Sequence, residues 1–191
     1  MIYINDDIGQ LDMETALQEI SEQRREQALK FKFAQGQRLS VAAYLLLKEG
    51  LREEYGITEN PVFDYEENGK PHIEGRPDIH FNLSHCHSAA LCAVSRNPIG
   101  VDIESIREFK EGLVEYTMNE QELNYIKHAA RPDVAFIRLW TMKESLLKLT
   151  GEGIHDDIKR VLSDAEGKVR HITVVNTMKG YVYSVCEWNT N

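Results

Sequence analysis

The spacing of hydrophobic and polar positions changes several times along the chain, and each change marks an element. MIYIN at the start alternates and predicts a strand. Residues 14–29 are mostly charged and predict a helix, with Arg24 and Arg25 on its later part. Gly36 interrupts, and QRLSVAAYLLLKEGL (37–51) predicts an apolar-rich helix ending near Gly50. PVFDYEENGKPHI (61–73) predicts two short strands about Asn68-Gly69, a favoured tight-hairpin dipeptide. Three close apolar runs, DIHFNLS, AALCAVS and PIGVDIES, predict a small meander. After Ile106 the pattern turns helical. Asn119 followed by Glu122 has capping-box form and opens a helix through Ile126. Another helix starts after Pro132 and runs through FIRLWTMKESLLKLT to the breaker Gly151-Glu152-Gly153. The tail, GKVRHITVV and YVYSVCEW about NTMKG, predicts a β-hairpin.

Helices then strands, and again helices then strands, indicate an α+β fold in two similar halves. The junction falls near Asn97-Pro98, giving halves of 1–97 and 98–191. No low-complexity linker separates them, and no residue-level repeat relates them.

Composition narrows the function. Hydrophobic residues are 42% and charged residues 28%, ordinary for a soluble globular protein. A net charge of −9 argues against a generic nucleic-acid binder, which needs clustered Lys and Arg. Cys86, Cys92 and Cys186 form no CxxC pair, which disfavours a zinc knuckle or a disulfide framework. The N-terminus lacks the form of a signal peptide, and no window approaches a membrane span. A reduced, cytoplasmic protein is expected.

Chemistry concentrates in three places. In PIGVDIES a strand puts Ile99, Val101 and Ile103 on one face and Gly100, Asp102 and Glu104 on the other. The two carboxylates then stand about 7 Å apart, pointing the same way. Hard oxygens of this kind suit Mg²⁺, although from this stretch alone a solvated strand face is the favoured reading. In LWTMKESLLKLTGEG, Glu144 and Lys148 are one helical turn apart. Phe136, Leu139, Trp140, Met142, Leu146, Leu147 and Leu149 wrap the same helix in apolar surface. Lys143, Glu144 and Lys148 therefore form a polar island that needs partners or a task.

FNLSHCHSAA admits three readings. Zinc would use His85 and His87, without a ligand pair elsewhere at suitable spacing. A Cys86 nucleophile lacks an orienting acid, and its neighbours point to opposite sides. In the third, Ser84 and His85 stand where a strand ends, and hydroxyl, imidazole and N–H groups grip a phosphate. His87 and Cys86 have no assigned task in this reading.

NGKPHI, FNLSHCHSAALCAVS, IGVDIE and LWTMKESLLKLTGEG, in this order, resemble the 4′-phosphopantetheinyl transferases of the surfactin-synthetase type. The resemblance implies two α+β halves related by a pseudo-twofold axis, with coenzyme A bound in the cleft between them. It implies transfer of the phosphopantetheine arm of coenzyme A to a serine of an apo acyl or peptidyl carrier protein, releasing adenosine 3′,5′-bisphosphate. By position, Asp102, Glu104 and Glu144 match the Mg²⁺ ligands, Asp102 also lying at coenzyme A. Lys148 matches the lysine near the pyrophosphate. Ser84 and His85 match the phosphate-contacting pair, Lys70 the nucleotide lysine, and Arg38 a basic residue for the 3′-phosphate. Arg24 is a second candidate there, and Gln27 stands where relatives are often basic. Glu122 matches an acid that its capping-box role explains. Glu144 is the first candidate for general base, with Glu104 or a metal-bound water as alternatives, and Lys148 the second catalytic group. A carrier would dock near Arg107 and Lys110. The implied enzyme is a monomer with no nucleic-acid or membrane partner.

Three rivals stay open: another Mg²⁺-dependent phosphoryl or nucleotidyl transferase, a non-catalytic coenzyme A or carrier-binding module, and a purely structural α+β protein.

Overall fold

A computed structural model of the chain describes residues 1–153 and 158–189. It separates into two compact units, Met1–Asn97 and Pro98–Asn191. Both are α+β, and they share one connectivity.

In the first unit, β1 (Ile2–Asn5) is followed by a short 3₁₀ turn and the helices α1 (Met13–Glu19), α2 (Glu22–Leu29) and α3 (Ala34–Tyr55). A hairpin of β2 (Phe63–Tyr65) and β3 (Pro71–Ile73) precedes β4 (His80–His85) and β5 (Ala90–Ser95). The main sheet has the order β1-β5-β4, all antiparallel. The last strand therefore lies in the middle. α3 covers one face through Leu39, Ala43, Leu46 and Leu47, which pack with Phe81, Cys92 and Val94. Gly50 lets the helix come close: a Cβ there would lie 2.7 Å from Val94 and 2.8 Å from Tyr3.

The second unit repeats this plan. β6 (Ile99–Ser105) leads to α4 (Glu111–Thr117), α5 (Glu120–His128) and α6 (Pro132–Thr150), then α7 (Val161–Asp164) and the hairpin β7 (Val169–Asn176) and β8 (Tyr181–Trp188). Sheet order is β6-β8-β7, antiparallel, with the last strand again central. One core gathers Val114, Met118, Ile126, Phe136, Ile137 and Val182, and a smaller one Leu146, Leu149 and Cys186.

Several expectations change. The region 14–29 is two helices, broken where Ser21 caps α2 by accepting from Arg24 N–H. Gly36 lies inside α3, and the helix continues past Gly50 to Gly56, a left-handed cap at φ 67. Of the three runs expected to form a meander, only β4 and β5 pair with each other. β6 leaves the expected meander, and its backbone edge pairs antiparallel with β8 instead. The Asn68-Gly69 hairpin, the α5 capping box, the stop of α6 at Gly151 and the tail hairpin are observed. Among the described residues no helix is long and apolar enough to cross a membrane.

Candidate functional site

The chemistry of the second unit lies between β6 and α6. Gly100, Asp102 and Glu104 alternate with the buried Ile99, Val101 and Ile103. A Cβ on Gly100 would lie 2.0 Å from the Ser145 carbonyl oxygen and 2.5 Å from the Leu149 nitrogen. Only glycine allows this approach of strand and helix backbones. Two steps along a strand advance about 6.7 Å, and four along a helix about 6 Å. Residues 100, 102 and 104 therefore keep pace with 148, 144 and 140.

The long Lys148 side chain reaches one step beyond that match. Lys148 Nζ donates to Asp102 Oδ1 at 2.7 Å, with Asp102 almost fully buried. The Trp140 side chain lies near enough to Glu104 to favour its charged form. Among the described residues Glu144 Oε1 is buried and accepts no hydrogen bond. Burial pushes the Glu144 carboxyl above its ordinary range, and repulsion from Asp102 adds to this while Lys148 opposes it. Glu104 is raised by burial first and by Asp102 second, against the pull of Arg107. Three carboxylates thus share one electrostatic neighbourhood.

They do not form a closed cage. Among the described residues no three His, Cys, Asp or Glu side chains are gathered as metal ligands. Mutual repulsion holds such oxygens apart, and one Asp102 oxygen is spent on Lys148. The donor set still fits Mg²⁺, which takes one or two carboxylates and completes its shell with phosphate oxygens and water. The buried Glu144 oxygen is the specific observation in favour.

Lys143 belongs elsewhere. It is fully buried, ion-paired to Glu122 Oε2 at 2.9 Å, and donates to the carbonyls of Ile158 and Lys159. The polar island expected on α6 is therefore split between two faces of the helix. Glu122 accepts from Asn119 N–H as the capping box requires, and also neutralises this lysine.

In the first unit β4 runs through His85, one residue further than expected, and the tight turn closes with Cys86 N–H donating to the Ala89 carbonyl. Alternation then sends Ser84 and His85 to opposite faces of the sheet. Ser84 is buried, whereas His85 is exposed with its ring edge-on to Phe31 at 6.3 Å. Lys70 follows the β2–β3 turn, and burial lowers its ammonium below the usual range, with Glu66 acting against this. Arg38 Nη1 donates to the Leu11 carbonyl at 2.5 Å, securing the start of the helical region.

Arg24 is set more deeply. It donates to the Ser40 carbonyl at 2.9 Å, to Ser40 Oγ at 3.0 Å and to Gln27 Oε1 at 3.1 Å, and lies over the Tyr44 ring. Gln27 Nε2 in turn donates to the Tyr65 hydroxyl. Sequence reasoning named Arg24 second and overlooked Tyr44 and Tyr65, which only packing brings beside it.

Comparison with known proteins accords with this architecture. The model of the 4′-phosphopantetheinyl transferase superfamily matches residues 98–186. That of the 4′-phosphopantetheinyl transferase N-terminal region matches residues 9–97. The 4′-phosphopantetheinyl transferase psf-1 of Bacillus pumilus is 34% identical over 138 residues, 71% of this chain and 59% of that protein. The corresponding ffp of Bacillus subtilis is 30% identical over 156 residues, 80% of this chain and 70% of that protein. Gsp of Aneurinibacillus migulanus is 36% identical over 119 residues, 61% of this chain and 49% of that protein. The chain thus spans between about half and 70% of these curated relatives. With both halves matched in order and the carboxylates carried on a strand and helix of the second, the chain belongs to the 4′-phosphopantetheinyl transferase superfamily, of the type these Bacillus proteins represent.

Proposed function

We propose that this protein transfers the 4′-phosphopantetheine group of coenzyme A to a serine of an apo carrier protein. The observation that carries the reading is the buried Glu144 oxygen, unengaged by any described donor, beside the Lys148–Asp102 pair. A structural helix has no use for such an oxygen, since burying it uncompensated costs free energy.

Asp102, Glu104 and Glu144 would hold Mg²⁺. The ion would supply charge neutralisation on the oxygens of the coenzyme A pyrophosphate. The serine hydroxyl oxygen attacks the phosphorus that bears pantetheine, and the bond to the bridging oxygen breaks. Adenosine 3′,5′-bisphosphate leaves with that oxygen and its electron pair. Glu144 is the first candidate to take the serine proton, with Glu104 as the alternative base. The Lys148 ammonium offsets charge developing on the leaving group.

The first unit supplies the nucleotide contacts. Lys70 and the exposed His85 are assigned to phosphates, with Ser84 reached from the other face of β4. Arg38 is assigned to the 3′-phosphate with Arg24 as the second candidate, each anchored at present to a main-chain carbonyl, Leu11 and Ser40 respectively. The exposed Arg107 and Lys110 offer positive charge to an acidic carrier. One chain carries both matched regions, which supports action as a monomer, and the cytoplasmic assignment is kept from the sequence.

The test is direct. The protein is incubated with coenzyme A, Mg²⁺ and an apo carrier, and the carrier is weighed by mass spectrometry. A phosphopantetheine adduct is expected, and its absence with several carriers would refute the assignment. Turnover of a simple phosphate ester without any carrier would favour the rival phosphoryl-transfer reading.

A further inference from the structure

The first unit holds a crevice of about 460 Å³ lined by Glu54, Tyr55, Arg76, Asp78 and Arg96. None of these side chains has a part in the reaction above. Tyr55 is the last residue of α3, Arg76 and Asp78 lie in the loop between β3 and β4, and Arg96 directly follows β5. His80 pairs with Ser95 and His85 with Ala90, so Arg96 follows the end of the β4–β5 hairpin opposite His85. That length of strand spans about 17 Å.

The lining is held in place before any ligand arrives. Gly56 ends α3 in a left-handed cap directly after Tyr55. Arg76 N–H donates to the Ile73 carbonyl at 3.1 Å, and Ile79 N–H donates to the Arg76 carbonyl at 3.2 Å. The Arg76 guanidinium lies over the Tyr55 ring, 5.8 Å from its centroid. Its Nε and Nη2 donate to the two Asp78 oxygens at 2.9 and 2.8 Å.

Donors are left over. Arg76 occupies both Asp78 oxygens, and Glu54 Oε1 accepts from the Tyr3 hydroxyl at 3.3 Å. Among the described residues Arg76 Nη1, the Tyr55 hydroxyl and the Arg96 guanidinium have no hydrogen-bond partner. Guanidinium and phenol donors gathered in one crevice match an oxyanion. Arg76 and Arg96 are balanced by Glu54 and Asp78, so the lining lacks the excess charge that draws a polyanion. A single carboxylate needs no such excess, and its planar oxygens fit the guanidinium fork.

We propose that this crevice binds a small organic monocarboxylate, whose oxygens are received by Arg96, Arg76 Nη1 and the Tyr55 hydroxyl. The site goes beyond the transfer reaction and stands whether or not the three acids hold a cation.

The experiment titrates benzoate into the full chain labelled with ¹⁵N-arginine and follows the Arg76 and Arg96 Nε–H signals by nuclear magnetic resonance. Saturable shifts of both are expected. Benzamide, the neutral isostere, and inorganic phosphate should bind about tenfold more weakly. Arg96→Gln, at an exposed position, should weaken benzoate binding by about tenfold, and Tyr55→Phe by a smaller factor. Lys70→Met should leave it unchanged, because that lysine is assigned to the nucleotide. The proposal is overturned by absence of saturable shifts, by benzamide or phosphate binding as tightly as benzoate, or by undiminished binding in Arg96→Gln. Loss of benzoate binding in Lys70→Met would place the anion at the nucleotide residues and overturn it as well.

Discussion

Lys148 Nζ stands 2.7 Å from Asp102 Oδ1, and the two partners differ sharply in exposure: the lysine side chain is 30% exposed and the aspartate 6%. Their loss is therefore unequal. An orphaned lysine can extend into water along its flexible stem, whereas an orphaned buried carboxylate cannot. Lys148→Met is expected to cost about 2–3 kcal/mol of stability, and Asp102→Asn about 1 kcal/mol. Urea unfolding checks the order, and a larger loss for Asp102→Asn would count against it. Both variants should lose transfer activity, and EDTA should abolish it in the unaltered chain until Mg²⁺ is restored.

The buried Lys143–Glu122 pair makes a stability prediction remote from substrate contact. Glu122→Ala strands an ammonium that is fully buried, and should cost about 3–5 kcal/mol. Replacing both partners with apolar residues, Lys143→Met with Glu122→Leu, should recover much of that loss. A double-mutant cycle in urea measures the recovery, and additive losses would show that the pair is not coupled.

Gly100→Ala would drive a methyl into backbone atoms of α6 at 2.0 and 2.5 Å. Backbone cannot yield as a side-chain tip does. The variant should be destabilised by about 3 kcal/mol or more, and should lose activity even where it folds. Gly112→Ala is the control, having nothing within 4 Å, and should stay within about 1 kcal/mol of the original.

His171 gives a pH signature. Burial lowers its pKa from the ordinary 6.5, although Nε2–H donation to the Met142 carbonyl opposes this. The unfolded chain then takes up the proton more readily than the folded one. Its contribution is flat above about pH 7 and falls as the medium becomes more acidic than 6.5. His171→Phe should reduce that acid sensitivity, read as the difference between thermal midpoints of the two proteins from pH 7.5 down to 5.5. Identical profiles would remove His171 as a cause.

Lys70→Met should raise the KM for coenzyme A by about tenfold with little change in kcat, the loss of one charged phosphate contact. Steady-state kinetics at saturating carrier separates the two. A fall in kcat alone would move Lys70 from binding to chemistry.

Local signals were legible where one residue decides a local geometry. Asn68-Gly69 forced the β2–β3 turn, Asn119 with Glu122 opened α5, and Gly151 ended α6 in a left-handed cap. The period of two through Gly100, Asp102 and Glu104 also predicted correctly which residues share a face. What periodicity could not show was pairing across distance: β6 reads as the third strand of a meander until β8 claims it. Nor could it show direction on an apolar helix. Lys143 and Glu144 are adjacent, yet one is tied to Glu122 and the other faces β6 with Asp102 as its neighbour. Trp140 counted only as apolar surface, because nothing local reveals that the fold brings it near Glu104.

In both units the strand in the middle of the sheet is the last to be synthesised. The N-terminal ammonium is held by the Val94 carbonyl, 93 positions away, and β6 meets β8 across a similar stretch of chain. Neither sheet can close on a ribosome until its unit is nearly complete. Until then β1 and β6 present unsatisfied edges, while α3 and α6 can already cover their apolar faces.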